Sequence, residues 1–178
     1  MQRLFVAIEL PDAIKDDLLA LREELTGARW VNPQQLHLTL RFIGAADDQV
    51  TESVRACLAT IRSAPFHLAM SGVGHFPRSK EPRILWAGMQ SDDSLLLLQR
   101  EVEHAIQRAG LPGETRPFAP HITIARLKGT SSRIVAEFER RHTPFASPPF
   151  PVASFYLFRS IFSAQAVSHE KLAQYLLS

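Results

Sequence analysis

Two tetrapeptides of one pattern stand near the middles of the two halves of this chain: His37-Leu38-Thr39-Leu40 and His121-Ile122-Thr123-Ile124. Each reads histidine, apolar, threonine, apolar. By composition alone, two such tetrapeptides in 178 residues are roughly a two-in-a-thousand event, so the pair is read as an internal repeat. The alternation fits a β-strand, in which successive side chains point to opposite faces. His37 and Thr39 then share one face, and His121 and Thr123 share the equivalent one. Leu38, Leu40, Ile122 and Ile124 point the other way, where helices can cover them. A pseudo-two-fold relation between the halves would bring the two polar faces together across a cleft.

Such a cleft suits in-line displacement at phosphorus. One group must take a proton from the attacking water and another must give one to the leaving oxygen. Histidine can do either near neutral pH, because its ordinary pKa is about 6.5. Threonine hydroxyls can donate to the non-bridging oxygens, where negative charge builds. Fixed donors of this kind make a metal unnecessary. The plainer alternatives are a partly exposed polar histidine and a threonine that merely favours strands. A metal site fits less well: two repeats supply two imidazoles, and no cysteine cluster or His-Glu-x-x-His helix completes a set. No metal and no other cofactor is expected. His67, His75, His104, His142 and His169 lack the pattern and are read as surface or loop residues, with His75 in a loop that could border a cleft.

The remaining elements follow from periodicity and breakers. Residues 3–9 read as a strand. Pro11-Asp12 opens a helix to about Leu25, closed by Gly27. Residues 36–43 form a strand ended by Gly44, and Asp47-Asp48 starts a helix to about Ile61. Strands follow at 66–73 and 83–89, with a breaker-rich loop at 74–82 between them. Asp92-Asp93 opens a helix to about Ala109, stopped by Gly110. A strand at 121–127, a short helix at 131–141, a proline-rich connector from Pro144 to Pro151 and a strand at 152–159 complete the order. Residues 169–176 alternate but also have helical propensity, and strand is the choice taken. Hairpins mixed with helices, without strict βαβ alternation, indicate an α+β fold.

Composition narrows the class. Hydrophobic residues are 46% and charged residues 21% of the chain, as in a water-soluble globule. The net charge of +2 and pI near 9.0 are compatible with a nucleic-acid ligand but far from a polybasic binder. Cys57 is the only cysteine, so no internal disulfide can form; it falls in a helix and is read as a packing residue. Glu9 and Pro11 interrupt the N-terminal apolar run too early for a signal peptide. No stretch suits a membrane span. A cytoplasmic location and a monomer are expected.

With these residues in view, the chain resembles the two-histidine phosphoesterase superfamily, and within it the bacterial RNA 2',3'-cyclic phosphodiesterases, also known as 2'-5' RNA ligases (LigT-like). The resemblance runs from Arg3-Leu4-Phe5-Val6-Ala7-Ile8-Glu9-Leu10-Pro11 through Trp30-Val31, the first motif with Arg41-Phe42-Ile43-Gly44, and Gly74-His75-Phe76-Pro77. It continues through Arg83 to Gly88, Phe118-Ala119-Pro120 with the second motif and Arg126, and Phe155 to Ser160. It implies one bilobal domain over residues 1–178, with two antiparallel sheets around a central groove and helices packed outside. It also implies hydrolysis of RNA 2',3'-cyclic phosphate ends to 2'-phosphomonoesters. His37 would be the proton donor and His121 the proton acceptor, with Thr39 and Thr123 on the phosphate. Substrates would be RNA ends or a small nucleotide, tRNA halves included, and 2'-5' ligation would be the related reverse chemistry. A phosphodiesterase for another small cyclic or 2'-5'-linked nucleotide and a non-catalytic RNA-binding protein of the same fold are the alternatives.

Arg126 is a candidate for the phosphate, since its fork of donors matches phosphate oxygens. Strict alternation, however, puts it opposite His121 and Thr123, so it needs a twist or bulge to reach the groove. Arg41 has the matching parity but could equally be a solvent-facing edge. Phe42, and with it Phe5 and Trp30, could stack on a base or pack in the core. One departure from the family pattern is visible: the stretch Ser163-Ala164-Gln165-Ala166 lacks the usual proline and glycine.

Overall fold

The fold was taken from a computed structural model, which describes residues 1–78, 80–164 and 167–178. Two four-stranded antiparallel sheets carry the HxTx strands. The first has the order β10-β9-β1-β3, formed by β1 (Gln2–Glu9), β3 (His37–Ala46), β9 (Ser154–Phe162) and β10 (Val167–Leu176). The second has the order β2-β7-β6-β5, formed by β2 (Ala28–Trp30), β5 (Met70–Phe76), β6 (Ile84–Met89) and β7 (His121–Leu127). A short ribbon pairs β4 (Phe66–Leu68) with β8 (Phe150–Val152). The helices are α1 (Asp12–Leu19), α2 (Asp48–Leu58), α3 (Asp93–Arg108) and α4 (Ser132–His142). The class is α+β with a two-sheet, two-lobed architecture, as the sequence implies.

Local signals place most of these elements. Asp47 caps α2 by accepting from the Val50 amide at 2.8 Å, and Asp92 caps α3 from the Leu95 amide at 2.9 Å. Ser131 caps α4 in the same way. The apolar faces of β1, β3 and β7 (Val6, Ile8, Leu38, Leu40, Ile122 and Ile124) meet Val54 of α2 and Leu98 and Val102 of α3 in one continuous core. Cys57 packs half-buried at its margin. No helix among the described residues is long and apolar enough to cross a membrane.

Several boundaries differ from the sequence expectation, among them the strand read at 66–73, which is two strands, β4 and β5. The first helix ends at Leu19 instead of Leu25, because residues 20–25 are drawn into tertiary bonds. Arg22 donates to the Val31 carbonyl, Trp30 Nε1 donates to the Glu23 carbonyl, and the Glu23 carboxylate holds Arg141 and His142 of α4. The strand at 36–43 runs through Gly44 to Ala46, since Gly44 adopts φ +86° within a β-bulge and does not end the strand. The loop at 74–82 is shorter than expected, because β5 continues to Phe76. The terminal segment is a strand, paired along β9. Ser79 of that loop, and Gln165 and Ala166 of the stretch that departs from the family pattern, lie outside the described residues.

Candidate active site

β3 and β7 approach within 8 Å, Cα to Cα, between the sheets. Their His/Thr faces turn away from the core: His37, Thr39, His121 and Thr123 are half-buried, while the apolar residues between them are buried. His121 and Thr39, one from each repeat, line the same open cavity of about 550 Å³, together with Phe42, Phe76 and Phe118.

The two imidazoles are held in the same way. His37 Nδ1 donates to the Gln35 carbonyl and His121 Nδ1 to the Ala119 carbonyl, each at 2.6 Å and each two residues upstream. A carbonyl can only accept, so the neutral ring keeps its proton on Nδ1 and its lone pair on Nε2. Aromatic rings set the tilt. His37 lies on Phe5 at 4.8 Å between centroids, with Phe158 at 6.3 Å. His121 stands edge-on to Phe76 at 5.0 Å, with Trp86 at 6.4 Å. Gly74 permits this second bed, because a Cβ there would meet the Trp86 ring at 2.2 Å.

Electrostatics act strongly on the first histidine. Burial pushes His37 down to about 4, and the positive charges of His169 and His121 act in the same direction, against the bond to Gln35. His169, on β10, stands edge-on to both His37 (5.3 Å) and Phe5 (4.9 Å). It too is lowered, by burial and by Arg126 nearby. His169 therefore packs beside His37 and is not the surface residue expected. Sequence reasoning misses it because it sits in the segment whose secondary structure is ambiguous. His75 and His142 are also engaged, with Glu139 at 2.5 Å and Glu23 at 3.0 Å, and tie α4 to its neighbours.

A matched pair of bulges resolves the parity of the arginines. Along β7 the register passes from Thr123 opposite Trp86 to Ala125 opposite Leu85, leaving Ile124 as the extra residue. Along β3 it passes from Thr39 opposite Ala7 to Arg41 opposite Val6, leaving Leu40 as the extra residue. Both bulges fall immediately after the threonine and shift the alternation by one. Ile124 and Ala125 are consequently both buried while Arg126 is exposed on the His/Thr side. Phe42 takes the equivalent place in the first repeat and is 58% exposed. Arg41, favoured by simple alternation, lines the same cavity as Thr39 and His121, but on the side of α3, where carboxylates take up its guanidinium. It binds Glu103 at 2.6 Å and the Pro112 carbonyl at 2.7 Å, with Glu114 at 3.8 Å. Phe5 is buried beneath His37, and Trp30 packs on Phe138. The buried Phe5 ring is not available for stacking.

The model of the family described as LigT like Phosphoesterase matches residues 8–86 and 88–167. The chain belongs to the LigT-like phosphoesterase family. An RNA 2',3'-cyclic phosphodiesterase of Bacillus subtilis (strain 168) is 30% identical over 181 aligned positions, covering 98% of this chain and 96% of that one. A protein of the same name from Archaeoglobus fulgidus is 28% identical, covering 96% and 97%. Among solved structures, Escherichia coli LigT complexed with 3'-AMP superposes with a TM-score of 0.80 at 28% identity, covering 99% of this chain and 98% of that chain. A Thermus thermophilus protein gives 0.81 at 27% identity, covering 98% and 97%. The two stretches of the LigT-like match divide the chain near residue 87, between the two HxTx strands. That division agrees with the pairing of bulges, carbonyl latches and aromatic beds.

Proposed function

We propose that this LigT-like phosphoesterase hydrolyses RNA 2',3'-cyclic phosphate ends to 2'-phosphomonoesters without a metal ion, with His37 as proton donor and His121 as proton acceptor. One observation carries the proposal: two histidines from separate repeats, identically latched at Nδ1, with His121 and the first repeat's Thr39 on one cavity. The names borne by the relatives support the substrate.

In the proposed step, His121 Nε2 takes a proton from water as the water oxygen bonds to phosphorus. The bond from phosphorus to the 3'-oxygen breaks, and that oxygen takes the proton from His37 Nε2. The 2'-monoester remains, and the two rings exchange protons with solvent before the next turnover. Thr39, Thr123 and Arg126 would hold the non-bridging oxygens, while Phe42 would stack on the terminal base. With an RNA 5'-hydroxyl in place of water, the same pair would form a 2'-5' link. The continuous core supports treating residues 1–178 as one bilobal unit. A cytoplasmic monomer acting on RNA ends, tRNA halves among them, completes the proposal.

The test is turnover of a 2',3'-cyclic nucleotide in EDTA, with the 2'- and 3'-monoesters resolved. The 2'-isomer is expected, and His37→Ala and His121→Ala are each expected to cost about 10²- to 10⁴-fold. Complete loss of turnover on chelation would remove the metal-free mechanism. Near-normal activity in either variant would remove the paired one.

A further inference from the structure

We propose that the groove continues along β1 as a track for single-stranded RNA, in which Arg3 and Phe162 hold the nucleotides that precede the cyclic end. The proposal rests on the reading of the site given above and extends it from one nucleotide to a chain.

The track follows from strand parity. Leu4, Val6 and Ile8 of β1 enter the main core. Arg3, Phe5 and Ala7 therefore share the opposite, groove-side face. There Phe5 and Ala7 form a separate cluster with Phe158 and Tyr156. On β9, Phe158 lies opposite Phe5 and Ser160 opposite Arg3, and Phe162 continues the same parity. On β3, Thr39 lies opposite Ala7 and Phe42 opposite Phe5. Starting from the threonine, the face thus offers Phe42, then Arg3, then Phe162. Phe5 and Arg3 are two residues apart, roughly 6.6 Å along the strand, a length one backbone unit of an extended single strand can span.

Exposure and charge single out the same residues. Phe42 and Phe162 are 58% and 59% exposed, the two most exposed aromatic rings of the described chain. The Arg3 guanidinium lies over the Phe162 ring at 5.4 Å. Lys171 on this face is neutralised by Glu9, and Arg159 of β9 by Glu170. Among the described residues no carboxylate pairs with Arg3 or Arg126. Two cations without a carboxylate and two exposed rings, in line with the phosphate site, match the alternation of phosphate and base in a single strand. A protein partner would use the rings but has no need of the spaced cations.

The experiment compares a 2',3'-cyclic mononucleotide with a trinucleotide ending in the same group, for the wild type, Arg3→Gln and Phe162→Ala. The wild type is expected to favour the trinucleotide in kcat/KM by about tenfold, the scale of one stacked base. Each variant should lose that advantage while retaining mononucleotide turnover and melting temperature. Arg3→Gln should also flatten the dependence of trinucleotide log kcat/KM on log salt by about 0.7. No wild-type preference for the longer substrate, or equal losses on both substrates, would overturn the track. So would a change of oligomeric state in Phe162→Ala, which would make the ring a self-association surface. Fluorescence anisotropy with a trinucleotide bearing a 2'-phosphate reads the track without turnover. Binding weakened by both variants supports it even if neither cyclic substrate is hydrolysed, in which case only the hydrolytic function fails. Binding unchanged by both variants overturns it.

Discussion

If His37 is the proton donor, it must carry a proton when the phosphate is in place, yet the groove by itself holds it at about 4 against an ordinary 6.5. At neutral pH the free ring is neutral. The difference corresponds to about 3 kcal/mol against the charged form. A phosphate anion 4 Å away contributes about 4 kcal/mol in favour of that form at an effective dielectric of 20. The anion is therefore sufficient to reverse the balance, and binding should carry a proton into the groove. The perturbation is saturation with a 2'-nucleotide, and the assay is NMR titration of the His37 ring, free and bound. Its midpoint should rise from about 4 to near or above neutrality. Over the interval between the two midpoints, nucleotide affinity should fall about tenfold per pH unit on raising the pH. The same linkage acts on folding. A histidine lowered in the folded state binds fewer protons there than in the unfolded chain, so stability is fully present above pH 6.5 and is lost as pH falls through 4. A midpoint that stays near 4 with nucleotide bound would refute the assignment and leave His121 as the acid.

Two further outcomes test the surroundings of the pair. On the proposed role of Arg126 as a charged donor to the developing oxyanion, Arg126→Gln should lower kcat by about 10²-fold or more; a variant with unchanged kcat would show that the bulge at Ile124 does not serve the phosphate. Glu103→Ala leaves Arg41, only 11% exposed in its side chain, without its main partner, and also frees the Glu114 amide. Urea unfolding should show a loss of about 3 kcal/mol, and a loss below 1 kcal/mol would mean that water replaces the pair.

The strands bearing the motifs could be read directly, because one period of alternation fixes both the histidine and the threonine on a common face. The caps of α2 and α3 were equally legible, since Asp47 and Asp92 satisfy amides three residues on. What escaped was non-local. The end of α1 depends on bonds from Arg22 and Glu23 to partners distant in sequence, which no local propensity encodes. The fates of Arg41 and Arg126 depend on one extra residue in each strand. The signal was present as paired apolar neighbours, Ile124 and Ala125, but only the partner strands fix the register. His169 reaches His37 through the pairing of β10 on β9 and β9 on β1, two steps that alternation in β10 alone does not specify.

The upstream carbonyls of Gln35 and Ala119 have a consequence for genetics. In many hydrolases the histidine leans on a carboxylate that can be deleted one residue at a time. Here the supporting partner is a peptide group, present whatever side chain that position carries. A scan of substitutions would register the aromatic rings beside each histidine but no hydrogen-bonding side chain for its Nδ1. Only a change that bends the main chain, such as loss of the ring of Pro120 between Ala119 and His121, would expose the dependence.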